Sequence, residues 1–443
     1  MTVAVVGGGM AGLAAAHELA ASGVQVVVLE GSDRLGGKLR LGEVGGLTLD
    51  LGAESVLARR PEGLDLIRAV GLGDLVVHPE TITAAIWTRG ALRPMPPTVM
   101  GVPADAAALA RSGIADMPAP RILPVPTQDV SVAEFITERL GRDVLDRLVE
   151  PLLGGVYAGH TDQLSLRATT PQIAALGADL LDGAAKHRAG SAASGPVFAG
   201  LVGGVAQLPS AIAATEGIEV RLDATVRAVT RTADGWRLSV GPTTDVDHVD
   251  VEAVVVAAPA PAAARLLAQE APEAAFALAA IDYASMAIIT FVFNDAVVPE
   301  GSGFLAPPVD GTFIKAATVS SNKWGWVAAT GRTVIRTSVG RAGEIALLQH
   351  DDRDLAARAL ADLRSAFTHL PEPVDQHVQR WGGGLPQYDV GHLDRVATIE
   401  RSVATVPGLE VCGAAYRGVG IPAVIASGRA AARRLIDAGT LEP

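Results

Sequence analysis

Only one cysteine, Cys412, occurs in the 443 residues. That excludes an intramolecular disulfide and any CxxC-type metal or redox motif. Lysine is almost as scarce: four of the 36 basic residues, at positions 38, 186, 315 and 323. Positive charge is therefore nearly all guanidinium, which suits paired hydrogen bonds to carboxylates. The net charge of −12 makes the chain a poor partner for nucleic acid, whose binding is dominated by phosphate neutralisation. It leaves room for a small anion held by local arginines. No Ser-His-Asp set, metal-ligand cluster or internal repeat is readable. The sequence starts with the strand-like "TVAVVG" and shows no signal-peptide pattern, so a cytoplasmic setting is expected.

One uncharged run needs explaining. Residues 189–215, "AGSAASGPVFAGLVGGVAQLPSAIAAT", are long enough to span a bilayer. Gly, Ser, Gln and two prolines dilute the run, and the pattern reads as a loop followed by a short helix from about Leu208.

What is present points to a folded, multidomain protein. Apolar residues make up 49% and charged residues 19%, enough for a buried interior. The length favours two or three domains. Residues 2–30 read as strand, glycine turn, helix, strand. Residues 94–126 are proline-rich and read as a long irregular connection. Ser131 and Glu134 form a capping-box pattern opening one or two helices through "SVAEFITERLGRDVLDRLVEPLL". Residues 183–200, rich in Gly, Ala and Ser, read as mobile. Strands are expected at 218–230, 236–240, 251–258, 286–293, 312–319 and 333–339, and a helix at 354–369. Only two strands of a nucleotide-binding sheet have appeared by residue 60, so its remaining strands must come from later in the chain.

The N-terminal stretch carries the clearest chemistry. Gly7-x-Gly9-x-x-Gly12 lies between a strand and a helix. Gly7 permits the tight turn, and Gly9 lets the backbone approach a pyrophosphate. Gly12 lets the helix pack close to the strand, and Gly8, Met10 and Ala11 complete the turn. Glu30 ends the second strand about twenty residues on, where an acid binds ribose hydroxyls, and Gly31 follows it.

After Glu30 come Gly36-Gly37 and Lys38, then Gly52-Ala53-Glu54-Ser55. A glycine pair in this register lets the chain pass close to an extended cofactor. It resembles the FAD-binding proteins related to amine oxidases, phytoene desaturases and porphyrinogen oxidases. In that company the main chain of Val226, on the alternating segment "IEVRLDATVRAV", would meet an adenine; a plain core valine is an equal reading.

Within this group, "LVEPLLGGVYAGHTDQLSLRATTPQ" (148–172) resembles the oxygen-dependent porphyrinogen oxidases. "LGAESVLARRPEGLDLIRAVGL", "SSNKWGW", "RWGGGLPQYDVGHLDRV" and "VCGAAYRGVGIPAVIASGRAAA" extend the resemblance, in order, over essentially the whole chain. Two departures stand out: Ala423 where the family usually has Asp, and Ala53 in the family's "GPES"-like turn.

The resemblance implies a mixed α/β and α+β architecture. Its Rossmann-like FAD domain would be assembled from residues 1–58, 200–270 and 385–443. A mixed-sheet substrate domain would take 59–90 and 271–384, and a helical domain 91–199 would be the part able to touch a membrane. It implies non-covalent FAD, contacted also by Trp381, Gly413, Val419, Gly420, Ile421, Pro422 and Ala423. The reaction it implies is the six-electron oxidation of coproporphyrinogen III in haem biosynthesis, with protoporphyrinogen IX as the alternative substrate. Oxygen would be the acceptor and hydrogen peroxide the second product. Weak or no membrane association, and transient contact with the next enzyme of the pathway, are expected.

Arg59, Arg60, Arg167 and Arg336 are candidates for the substrate carboxylates, each weighed against an ordinary surface role. No catalytic acid or base stands out. His160 reads better as structural than as a substrate contact, and Cys412 as a core thiol rather than a flavin attachment point. Other flavin oxidases or desaturases, and a redox-inactive binding protein resembling the Rab GDP-dissociation inhibitors, are the competing readings.

A second glycine-rich turn, Gly418–Ala423, precedes a helix with Pro422 in its first turn. Val424, Ile425, Gly428, Ala431 or Ala432, and Leu435 recur at helical spacing, and Gly428 allows close packing. This helix is expected to point its N-terminus at the flavin, where negative charge develops on reduction. Arg433 and Arg434 sit favourably for its dipole.

Overall fold

A computed structural model describes residues 1–191 and 195–438. Val3–Val6 and Val26–Leu29 are apolar at every position and buried on both sides, as strands covered by two layers must be. They lie at the centre of a five-stranded parallel sheet, ordered Ile218–Arg221, Gln25–Leu29, Thr2–Val6, Ala253–Val256, Leu409–Val411. The final strand comes from just over 400 residues after the first, as the unfinished N-terminal βαβ unit required.

Alternation assigns the two faces. Val3, Val5, Val26, Val28 and Val255 pack with Leu13 and Leu19 of the first helix (Met10–Ala21) and with Ile425 and Leu435 of the last (Ile421–Asp437). Val6, Val27, Leu29, Val254 and Val256 face Trp236 and Leu238 of a three-stranded antiparallel sheet, together with Leu267, Leu278 and Ile399 from three helices.

A seven-stranded sheet forms the second unit, ordered Asp375–Pro386, Tyr283–Phe293, Thr333–Val339, Ala316–Val319, Gly303–Leu305, Ala85–Thr88, Ala91–Pro94. Every pairing is antiparallel except that of Gly303–Leu305 with Ala85–Thr88. Ile289, Phe291 and Phe293 pack under Leu355 and Leu363 of the helix Asp352–Ala366. Met286 and Ile288 turn the other way, into a cavity shared with the parallel sheet.

A helical cluster covers that cavity. The Ser131 hydroxyl accepts the Glu134 N–H at 3.1 Å and opens the helix Val132–Leu140. Gly141, at φ 89°, ends it, and the chain continues through Arg142–Val144 and a π-helical turn, Leu145–Val149, into Glu150–Tyr157. The stretch read as one or two helices is thus one helix, a glycine break and a composite helix.

Other local readings change. The single strand expected at 218–230 is two, Ile218–Arg221 in the parallel sheet and Val226–Thr232 in the three-stranded one. Within 94–126, Thr98–Val99 and Val102–Pro103 form a short hairpin, and Ala106–Ser112 is a helix capped by Asp105; only the following residues are irregular. Leu180–Ser191 is helical, its alanines favouring the helix against its two glycines, while residues 192–194 of the stretch read as mobile lie outside the described residues. The strand expected at 312–319 is regular only over Ala316–Val319. The short helix expected from Leu208 runs to Ala213. Among the described residues no helix is long and apolar enough to cross a membrane.

Candidate cofactor and active site

A cavity of about 610 Å³ opens where the two sheets meet. Its wall begins at the first glycine turn. Gly7 takes φ 111°, and a β-carbon there would lie 2.9 Å from the Ala257 carbonyl oxygen. At Gly12 a β-carbon would lie 2.0 Å from the Gly7 carbonyl oxygen, so no side chain fits between helix and strand. Around Gly9 a β-carbon would meet nothing, which leaves the helix N-terminus open to a ligand. Glu30 accepts the Gly8 N–H at 2.7 Å and the Ser32 N–H at 2.9 Å. Its carboxylate is fixed at the cavity wall where a ribose would lie.

From there the wall runs past Gly36, Gly37, Lys38, Gly52 and Ala53 to Trp381, and past Ala224, Thr225 and Val226. A β-carbon at Gly52 would be 1.9 Å from the Lys38 carbonyl oxygen and 3.0 Å from the Trp381 ring. At the far end Gly413, Ala414, Ala415, Val419 and Ile421 complete it, opposite Met286, Ile288, Gly155 and Val156. A cavity lined by the first turns of two helices fits a dinucleotide carrying a pyrophosphate and an electron-accepting ring.

Lys38 and Glu30 are the charged side chains of this wall. Cavity solvent reaches Lys38, yet the surrounding protein desolvates its ammonium and lowers its pKa. It makes no ion pair among the described residues.

The remaining sequence candidates sit behind the wall. Gly8 gives its N–H to Glu30. Gly420 caps the last helix, Pro422 occupies its first turn and packs toward Gly63, and Ala423 faces Gly418. Glu54 is largely buried and pairs with Lys323 at 2.7 Å and Arg336 at 2.6 Å; Ser320 also donates to it. Burial alone would raise its pKa, but the two cations outweigh burial and hold the carboxyl at about 2. Ser55 follows, partly buried and outside the wall.

None of the four arginines picked for substrate carboxylates lines the cavity. Arg336 is spent on Glu54 and on the Gly52 carbonyl. Arg167 donates to the Pro126 and Thr127 carbonyls. Arg60 pairs with Glu62 at 2.6 Å. Arg59 is exposed and makes no ion pair among the described residues. His160 bonds the Ala342 carbonyl at 3.0 Å, away from the wall. Cys412 is fully buried, and burial pushes its thiol up to about 12.

Several wall residues were not picked out from the sequence: Ala257, Ala258, Pro259, Tyr283, Met286, Ile288 and Leu385. Strand 283–293 is apolar at nearly every position, so no alternation marks the cavity-facing side. The turn "AAPAP" after strand 253–256 was the available signal for Ala257–Pro259, since it follows a central parallel strand.

Such a parallel sheet, with a cradle at its strand ends and a second sheet closing the cavity, is a dinucleotide-binding architecture. Residues 10–436 match the family model for flavin containing amine oxidoreductases. The chain is 37% identical to the coproporphyrinogen III oxidase of Mycobacterium leprae (strain TN), covering 96% of each chain. It is 32% identical to that of Bacillus subtilis (strain 168), over 97% of this chain and 96% of the relative. A crystal structure from Exiguobacterium sp. 255-15 superposes with a TM-score of 0.86 at 31% identity, covering 98% of both chains. The chain belongs to the flavin containing amine oxidoreductases and, within them, to the porphyrinogen oxidase family.

Proposed function

We propose that this protein oxidises coproporphyrinogen III to coproporphyrin III with non-covalently bound FAD. The observation that carries the reading is one continuous cavity. It links the Gly7–Gly12 turn, the Gly36–Lys38 and Gly52–Ala53 segments, and the Gly413–Ile421 loop to an apolar chamber of Met286, Ile288 and Val156. The full-length similarity to coproporphyrinogen III oxidases supports the substrate class.

Bound FAD supplies a two-electron hydride acceptor. The chain's residues then have distinct tasks. The Gly9–Gly12 backbone would hold the pyrophosphate, Glu30 the ribose and Val226 the adenine. Lys38, Trp381 and the Gly52–Ala53 backbone would flank the ring system. The N-terminus of the last helix, through Val419–Ile421, would face the ring system and would favour negative charge there. Six electrons and six protons leave the macrocycle, and three molecules of oxygen become three of hydrogen peroxide. The buried Cys412 thiol supports non-covalent attachment.

The FAD domain is drawn from 1–58, 200–270 and 385–443, the substrate domain from 59–90 and 271–384, and the helical domain from 91–199. Exposed Ile122 and Val125 are where the helical domain would meet a membrane surface. The protein is read as cytoplasmic.

The test compares turnover of coproporphyrinogen III and protoporphyrinogen IX by the purified protein, followed by porphyrin fluorescence with peroxide measured in parallel. Faster turnover of coproporphyrinogen, with one peroxide per two electrons, is expected. A preference for protoporphyrinogen overturns the substrate assignment. Failure to bind FAD overturns the enzyme reading.

A further inference from the structure

Three alternate residues of the loop before the last helix are held by two side chains from a different segment. The Tyr388 hydroxyl donates to the Ala414 carbonyl at 2.5 Å and accepts the Gly418 N–H at 2.8 Å. His392 lies stacked on Tyr388, ring centroids 3.9 Å apart and planes 15° from parallel. Its Nε2 meets the Tyr416 carbonyl at 2.9 Å. A carbonyl can only accept, so Nε2 carries the ring proton. Burial lowers the His392 pKa to about 4, so the ring is neutral near pH 7 and Nδ1 is a bare lone pair, buried without a partner.

Tyr388, His392 and Tyr416 are all buried. Two polar rings placed in a core, one with an unsatisfied nitrogen, are a costly way to fill space. Apolar rings would fill the same volume without that cost. What the polar atoms do provide is a fixed position for Ala414, Tyr416 and Gly418. Gly413 and Gly418, at φ 134° and 137°, lie at the two ends of this stretch, so its own backbone is permissive. The loop leads directly into Gly420, the N-cap of the last helix, and its residues Gly413, Ala414, Ala415 and Val419 line the cavity.

We propose that Tyr388 and His392 are positioning residues that clamp this loop, hold the N-terminus of the last helix at the redox end of the cavity, and so set the reduction potential of the bound flavin. The proposal rests on the placement of the flavin ring given above. A helix N-terminus acts on charge over a short range, falling off within a turn. A loop freed by loss of one or two of these three hydrogen bonds lets that N-terminus withdraw, and an anionic reduced ring would then lose stabilisation. FAD affinity is affected much less, because the pyrophosphate would be held by the first glycine turn and not by this loop.

The experiment measures flavin reduction against a reference dye in the purified holoprotein, for wild type, Tyr388→Phe, His392→Phe and His392→Gln, alongside flavin content and melting temperature. Tyr388→Phe and His392→Phe are expected to shift the equilibrium roughly tenfold toward oxidised flavin, ~30 mV for a two-electron couple. His392→Gln, whose amide N–H can reach the Tyr416 carbonyl, is expected to retain the wild-type potential. Phenylalanine variants that melt lower but keep the wild-type potential overturn the clamp, leaving these rings a structural role only. If Tyr388→Phe does not fold, the two His392 variants decide, and equal potentials in both overturn it. Wild-type protein that cannot be loaded with flavin overturns the placement on which the clamp rests, not the clamp's own logic.

Discussion

Gly428 of the last helix stands directly over the backbone of Ala11 in the first: a β-carbon at 428 would lie 2.1 Å from the Ala11 carbonyl oxygen. The two helices are locked at backbone contact, with Arg433 bridging back to Glu18 at 2.7 Å. Both point their N-termini into the same cavity.

Gly428→Ala therefore forces the helices apart. It is expected to cost about 1–3 kcal/mol, the range for overpacking a filled core, and to weaken FAD binding because both cradles move. Thermal unfolding with flavin fluorescence measures both. A variant with unchanged melting temperature and affinity would contradict the contact.

Glu54 supplies a pH-dependent prediction. Its folded pKa of about 2 lies below its usual 4.5. The stabilisation is fully present above pH 4.5 and is lost as pH falls from 4.5 toward 2. Glu54→Gln leaves Lys323 and Arg336 without their shared partner, at an expected cost of about 3–5 kcal/mol near neutral pH. The gap between wild type and variant in urea unfolding should narrow as pH falls through that window.

Lys315 behaves in the opposite sense. It is 2% exposed, and its Nζ has no partner. Burial, and then Arg341, lower its pKa from 10.5 to about 7. Between those values the unfolded chain binds more protons, so this group's penalty is greatest below pH 7 and fades as pH rises toward 10.5. Lys315→Met is expected to stabilise the protein at pH 7, and the difference from wild type should shrink by pH 9.5 in thermal melts.

The Cys412 thiol, fully buried and with its pKa pushed up to about 12, should resist disulfide-exchange reagents in the native state. One thiol per chain should react after unfolding in urea. Reaction of folded protein at the unfolded rate would contradict its burial.

How much of this was legible in the sequence depends on distance along the chain. The glycine turn at 7–12 and the helix at 421–437 could be read because their signals are local: spacing, a capping proline, a small residue facing a neighbour. The role of Arg336 could not. It lies on a strand with its apolar neighbours, and only the fold brings Glu54 to it from 282 residues away. An arginine that looked available for substrate is instead holding the Gly52 turn in place. Tyr388 and His392 stood in plain view within "PQYDVGH", yet their partners at 414, 416 and 418 become visible only when the two segments meet.

The order of strands in the parallel sheet has a consequence for biosynthesis. Thr2–Val6 has Ala253–Val256 for one neighbour, and that strand in turn needs Leu409–Val411. At about 5–20 residues per second of synthesis, the first strand and its phosphate turn emerge many seconds before the second half of their sheet exists. Until then Val3, Val5, Val26 and Val28 have only each other and one helix for cover. These valines therefore lack their final cover over most of translation, and the cavity wall is complete only once residues 409–437 have emerged.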